Sequence, residues 1–172
     1  MTRRNPLLLT PGPLTTSAAT RNAMLTDWGS RDPAFLALTR WVRDRIAAIA
    51  GGAGTHSCIP LQGSGTYGLE AALGTFVPAG GRVLVLANGA YCQRIAAILA
   101  RLGREPVLYE TPEDTPPDPR EVERRLAADP GLRHVTLVHC ETTSGILNPL
   151  AEVAEAVAGL GRSLIVDSMS AF

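Results

Sequence analysis

The run Gly63-Ser64-Gly65-Thr66-Tyr67-Gly68 places hydroxyls and flexible backbone where a helix is expected to begin. Such a turn points backbone N–H groups and the positive end of a helix dipole at one spot, which suits a phosphate. The same residues read as G-x-G-x-x-G, the dinucleotide fingerprint, and they also make an ordinary glycine-rich turn with no ligand. The dinucleotide version expects an acidic residue about 20 positions on, at the end of the next strand. Here that strand ends Leu86-Ala87-Asn88 and offers no carboxylate to a ribose. A Walker-type site needs a lysine, and all sixteen basic residues are arginine. A ligand carrying a single phosphate remains.

Other groups invite chemistry. Asp167 ends the apolar run Leu164-Ile165-Val166. A carboxylate there is costly to bury without a hydrogen-bonding or cationic partner. It is either a turn or helix-cap aspartate or an anion paired with a protonated ring nitrogen. Tyr91 follows a strand and could stack on an aromatic ligand or simply pack. Thr142, Thr143 and Ser144, in Glu141-Thr-Thr-Ser-Gly145, offer hydroxyls to a ligand or to a turn. His139 reads as a core or structural histidine. Asp27 and Arg31 read as a surface ion pair, or as part of a site lent to a partner subunit.

Alternating elements must position these groups. After an arm broken by Thr10-Pro-Gly-Pro13, a short helix follows, capped by Thr16 or Ser17. Asp32-Pro33 starts a helix whose Phe35, Leu38, Val42, Ile46 and Ile49 recur at helical spacing, and Gly51-Gly52 ends it. A strand is expected over Ser57–Gln62 and a helix from about Thr66 to Phe76. Arg82–Ala87 reads as a strand with apolar residues on both faces. A helix then runs from Asn88-Gly89 through Leu102, and Pro106–Tyr109 is a strand. Asp118-Pro119-Arg120-Glu121 opens a helix ending near Asp129. His134–Cys140 is a strand, a helix runs from Asn148-Pro149 to Gly159, and Ser163–Val166 is the last strand. This rhythm predicts an α/β fold: a mostly parallel sheet with helices on both faces. Ligands bind beyond the carboxyl ends of such strands. A phosphate cradle, an aromatic plate, hydroxyl donors and an aspartate then share one sheet edge, the fittings for pyridoxal phosphate.

Composition bounds the classes. The 172 residues make one ordinary domain, and 45% are hydrophobic, enough for a core. Sixteen acidic residues balance the arginines, which argues against nucleic acid or a membrane surface as partner. Cys58, Cys92 and Cys140 are odd in number and far apart, so neither a disulfide framework nor a zinc site is expected. The charged start Met1–Asn5 leads into too short an apolar run for a signal peptide, and a cytoplasmic location is the default.

The segments Leu7-Leu-Leu-Thr-Pro-Gly-Pro-Leu-Thr-Thr-Ser17, Asp27-Trp-Gly-Ser-Arg-Asp32, Gln62-Gly-Ser-Gly-Thr-Tyr67, Asn88-Gly-Ala-Tyr91, Glu141-Thr-Thr-Ser-Gly-Ile146 and Asp167-Ser-Met-Ser170 resemble, in order, the amino-terminal half of the 2-aminoethylphosphonate–pyruvate transaminase family. These are fold-type-I pyridoxal-phosphate enzymes. The resemblance implies an arm over residues 1–31 and a partial, truncated large domain over 32–172. It implies that Ser64, Gly65 and Thr66 hold the cofactor phosphate, that Tyr91 stacks on the pyridine ring, that Thr143 hydrogen-bonds near the ring hydroxyl, and that Asp167 pairs with the ring nitrogen. The implied reaction moves the amino group of 2-aminoethylphosphonate to pyruvate, giving phosphonoacetaldehyde and alanine in phosphonate catabolism, in a homodimer when full length. Cys92 and Ser144 stand where the family has glycine and threonine. The family's Schiff-base lysine falls beyond Phe172, so no catalytic residue is expected in this chain and the fragment alone is expected to be inactive. Three other readings stay open: an alanine–glyoxylate or serine–pyruvate aminotransferase, a nicotinamide-dependent dehydrogenase, and a non-catalytic fragment.

Overall fold

A computed structural model describes residues 6–10 and 12–172. The charged start at residues 1–5 and Pro11 of the proline turn lie outside them. The chain divides into two compact units, Met1–Pro60 and Leu61–Phe172.

In the first unit, α1 (Ala18–Ala23) is capped by Ser17, whose side chain accepts from the Thr20 N–H. Helix α2 (Pro33–Ile49) begins as its sequence dictates, because Asp32 accepts from the Ala34 N–H and Pro33 occupies the first turn. Trp28 stacks on Phe35 with ring centroids 6.0 Å apart. The expected strand over Ser57–Gln62 does not form. Pro60 removes a ladder donor, and Ile59 and Leu61 are exposed. A short apolar run without a pairing neighbour remains irregular.

The second unit is built on a four-stranded sheet of order β2-β1-β3-β6. Its strands are β1 (Arg82–Ala87), β2 (Glu105–Glu110), β3 (Leu132–Val138) and β6 (Ser163–Asp167), and every pairing is parallel. Two two-residue strands, β4 (Cys140–Glu141) and β5 (Ile146–Leu147), form a separate antiparallel pair. Cys140 therefore leaves the expected strand and joins this hairpin. Helix α3 (Gly65–Phe76) precedes β1, and α4 (Ala90–Arg101), α5 (Pro119–Ala128) and α6 (Leu150–Gly159) lie between successive strands.

Alternation along β1 explains the layering. Val83, Val85 and Ala87 join Leu69, Leu73, Ile95 and Leu99 of α3 and α4 in one cluster. Leu84 and Leu86 join Val122, Leu126, Val153 and Val157 of α5 and α6 in the other. Successive side chains point to opposite faces, so a strand apolar at every position feeds two cores and must be covered on both sides. Arg82 starts β1 and binds Glu105 at 3.1 Å and Asp129 at 2.6 Å. The Arg82 guanidinium holds the Asp129 carboxyl below the usual range.

Leu84 is fully buried, whereas Leu147 is 62% exposed. Leu84→Ala is expected to lower unfolding stability by about 3 kcal/mol through lost burial and a cavity. Leu147→Ala should change it by less than about 0.5 kcal/mol. Urea unfolding of both variants checks the contrast.

Candidate functional site

The turn before α3 needs its glycine. Gly63 sits at φ +134°, a conformation that side chains rarely adopt, and a Cβ there would press on the Tyr67 ring. Ser64 caps α3, its Oγ accepting from the Tyr67 N–H at 3.4 Å. The N–H groups of a first helical turn lack partners inside their helix, so Gly65 and Thr66 present donors toward the dipole's positive end. The strand expected before this turn is absent, so the dinucleotide fingerprint has lost half of its strand–turn–helix context. β1 ends at Ala87 and Asn88 follows it, so no carboxylate stands at that strand end.

Arg94 ties this cradle to the aromatic candidate. Its Nη1 donates to Thr66 Oγ1 at 3.2 Å, and its guanidinium carbon lies 4.9 Å from the centroid of the Tyr91 ring. The two residues are one turn apart on α4, where side chains share a face. Among the described residues no carboxylate pairs with Arg94.

Tyr91 is held from another direction. Gly89 precedes α4 and gives it no side-chain cap. The Glu141 carboxylate supplies one from β4, its Oε2 accepting from the Tyr91 N–H at 3.2 Å. Oε2 also lies 3.7 Å from the Cys92 Sγ, whose S–H can donate to it. Oε1 accepts from the Thr143 N–H at 3.2 Å and the Thr143 hydroxyl at 2.7 Å. Glu141 has no measurable exposure. A Cβ on Gly89 would fall 2.3 Å from its Cγ, so glycine is required there by close approach.

The third strand end completes the arrangement. Val138 faces Asp167 in the β3–β6 register, and the His139 N–H donates to the Asp167 carbonyl at 2.8 Å. His139 Nδ1 and Ser168 Oγ are 3.0 Å apart, and Thr142 Oγ1 and Ser170 Oγ 2.6 Å. Asp167 is half-buried rather than buried, and its Oδ1 accepts from the Met169 N–H at 3.0 Å. It has the geometry of a turn aspartate, and no ion pair engages it among the described residues. A Cβ on Gly65 would meet the Met169 methyl at 2.3 Å, so the segment after β6 lies against the cradle. Contacts thus run from Thr66 through Arg94, Tyr91, Glu141 and Thr143, then by Thr142 and Ser170 back through Met169 to Gly65.

Buried amides brace this edge. Asn88 and Asn148 exchange side-chain hydrogen bonds of 2.8 and 3.2 Å, and Asn148 Nδ2 also donates to the Val138 carbonyl at 2.8 Å. Sequence reasoning missed Arg94, Glu141 and this amide pair. The signal for Arg94 was its spacing of three from Tyr91. Nothing local marked the reach of Glu141 to α4, because Tyr91 and Cys92 lie 50 and 49 residues away in sequence. Asp27 and Arg31 are both exposed and form no ion pair among the described residues.

No family model matches the chain. A 2-aminoethylphosphonate–pyruvate transaminase of Burkholderia lata is 60% identical over 167 residues, covering 97% of this chain and 44% of its own. One from Pseudomonas fluorescens is 56% identical over 172 residues, covering all of this chain and 47% of its own. The structure of pyridoxamine–pyruvate aminotransferase from Mesorhizobium loti superposes with a TM-score of 0.87 at 30% identity, over 95% of this chain and 42% of that one. Ureidoglycine–glyoxylate aminotransferase from Bacillus subtilis gives 0.90 at 25% identity, over 99% and 44%. The chain spans a little under half the length of these relatives.

Burial pushes the Cys92 thiol up to about 11, and the neighbouring Glu141 adds to the effect. A pKa raised on folding stabilises the chain fully below about pH 9, and that contribution is lost as pH rises toward 11. In the native chain at pH 8, iodoacetamide is expected to label Cys58 and Cys140, which are half-buried, and to spare Cys92. Cys92→Ala should flatten the loss of thermal stability between pH 9 and 11.

The chain is a homologue of the 2-aminoethylphosphonate–pyruvate transaminases, with the fold of the fold-type-I aminotransferases over the portion that it spans.

Proposed function

We propose that this chain is the cofactor-binding portion of a pyridoxal-phosphate-dependent aminotransferase that moves the amino group of 2-aminoethylphosphonate to pyruvate. The observation that carries the reading is the identity of 56–60% over nearly the whole chain to proteins of that name. The geometry supports the cofactor: a helix N-terminus with a hydroxyl and a guanidinium, an aromatic ring, a threonine and an aspartate are joined by contacts along one edge.

In this reading, Ser64, Gly65 and Thr66 bind the phosphate through N–H and hydroxyl groups. Tyr91 orients the pyridine ring by stacking on it, and Thr143 lies near the ring hydroxyl. Asp167 holds a proton on the ring nitrogen. When bound, the cofactor supplies an electron sink for the substrate carbon that loses its proton. The chain contains no lysine, so none of its side chains supplies the Schiff-base amine. The reading takes the whole enzyme to be a cytoplasmic homodimer. Family resemblance supports this, and no helix of the described residues is long and apolar enough to cross a membrane.

Two experiments test the proposal. Pyridoxal 5'-phosphate is expected to bind the chain saturably in equilibrium dialysis, and NADH is not. Arg94→Gln should weaken pyridoxal 5'-phosphate about tenfold, because it frees the Thr66 hydroxyl of the cradle and uncovers the Tyr91 ring, and should weaken phosphate-free pyridoxal less. For the reaction, the chain can be joined to the part of the Burkholderia lata relative that the match leaves uncovered. That chimera is expected to form alanine from pyruvate when 2-aminoethylphosphonate is supplied. Equal turnover with alanine and glyoxylate would move the reading to the alanine–glyoxylate type.

A further inference from the structure

We propose that Glu141 is a positioning residue for the ring-binding half of the site, setting where Tyr91 and Thr143 stand relative to one another. The proposal rests on the cofactor reading above and goes beyond it, because Glu141 itself is not placed against the cofactor.

The burial of Glu141 is unusual. It is a carboxylate with no measurable exposure, and among the described residues no cation pairs with it. Burying a charge is strongly unfavourable unless hydrogen bonds replace the lost water. Every contact it makes is to a donor: the Tyr91 and Thr143 N–H groups, the Thr143 hydroxyl and the Cys92 thiol. An ionised carboxylate accepts only, on both oxygens, and this set matches it. One oxygen faces α4 and the other faces the loop after β4, so two elements far apart in sequence share one rigid group.

Gly89 gives a second, independent observation. Its φ is 173°, extended backbone that any residue adopts, so conformation does not demand glycine. The space for a Cβ is filled by Glu141, whose Cγ and Cδ lie 2.3 and 2.4 Å from that point. The turn into α4 is shaped around this carboxylate.

The consequence for Thr143 is chemical. Its hydroxyl hydrogen is directed at Glu141 Oε1 at 2.7 Å, so its oxygen faces outward as an acceptor. The orientation of that hydroxyl is set from behind, and so is the backbone that carries the Tyr91 ring. Glutamine at 141 would replace one acceptor by a donor and oppose either the Tyr91 N–H or the Thr143 N–H.

The test uses the 172-residue chain, with pyridoxal 5'-phosphate and phosphate-free pyridoxal as probes. Folding of each variant is checked by far-ultraviolet circular dichroism. Glu141→Gln is expected to weaken both probes by the same factor, about tenfold, because Glu141 makes no hydrogen bond to Ser64, Gly65 or Thr66. Thr143→Val should also weaken both, and the double variant should be no weaker than the worse single one, since one acts through the other. Unchanged affinities in Glu141→Gln, a loss confined to the phosphate-bearing probe, or fully additive losses would each overturn the proposal. If Glu141→Gln does not fold, Gly89→Ala displaces the carboxylate while keeping it, and the same equal loss is expected. Amide exchange separates the two ideas. Slow Tyr91 and Thr143 amides that speed up in the folded variant, in a chain that binds neither probe, would leave Glu141 as a structural clamp and sink the cofactor reading. Probe binding that ignores the substitution would leave the cofactor reading standing and remove the positioning role.

Discussion

Three parallel strands, β1, β3 and β6, pair in sequence across the sheet and end on the same side. Parallel ladders run every strand in one direction, so the loops after their carboxyl ends gather along one edge. The candidate groups depend on that constraint. Asn88–Tyr91 follows β1, Cys140–Thr143 follows β3 and Asp167–Ser170 closes β6. The ladder is kept in place by two cores, each fed by alternate residues of the same strands.

A sheet edge alone gives proximity without orientation. Orientation comes from side chains that cross between loops. Glu141 reaches from the β4–β5 hairpin to α4. Arg94 reaches from α4 to the first turn of α3. Thr142 and His139 meet Ser170 and Ser168. Asn88 and Asn148 close a reciprocal amide pair beneath them. Of these, Glu141, Asn88 and Asn148 are buried; buried polar groups must find partners, and once satisfied they hold a loop more firmly than apolar packing, which lacks direction.

Much of this was legible in the sequence. Local signals were strong where physics is local: Asp32-Pro33 and Asp118-Pro119 start helices, and both carry the side-chain cap that the residues announce. Val83-Leu84-Val85-Leu86, apolar at every position, declared a strand covered on both faces. The strand expected over Ser57–Gln62 failed, because a strand exists only with a partner and a single segment does not reveal whether one is available. Asp167 was expected to be buried or in a turn, and it is a half-buried turn residue. The long-range links were hidden for the same reason: Glu141 and Tyr91 are 50 residues apart, and no spacing rule joins them. The candidate residues stood out by type and position, their individual roles came from motif resemblance, and the identity to curated transaminases supports the same family.

The central claim is that residues on α3, α4, the β4–β5 hairpin and the end of β6 form one ligand site. Titrating the isotopically labelled chain with pyridoxal 5'-phosphate, and following backbone amide resonances, tests it directly. The expected result is a saturable shift of Gly65, Thr66, Tyr91, Thr143 and Asp167 with a common dissociation constant. Shifts confined to the groove lined by Asp118, Arg120 and Glu155, or no saturable shift at all, would contradict it.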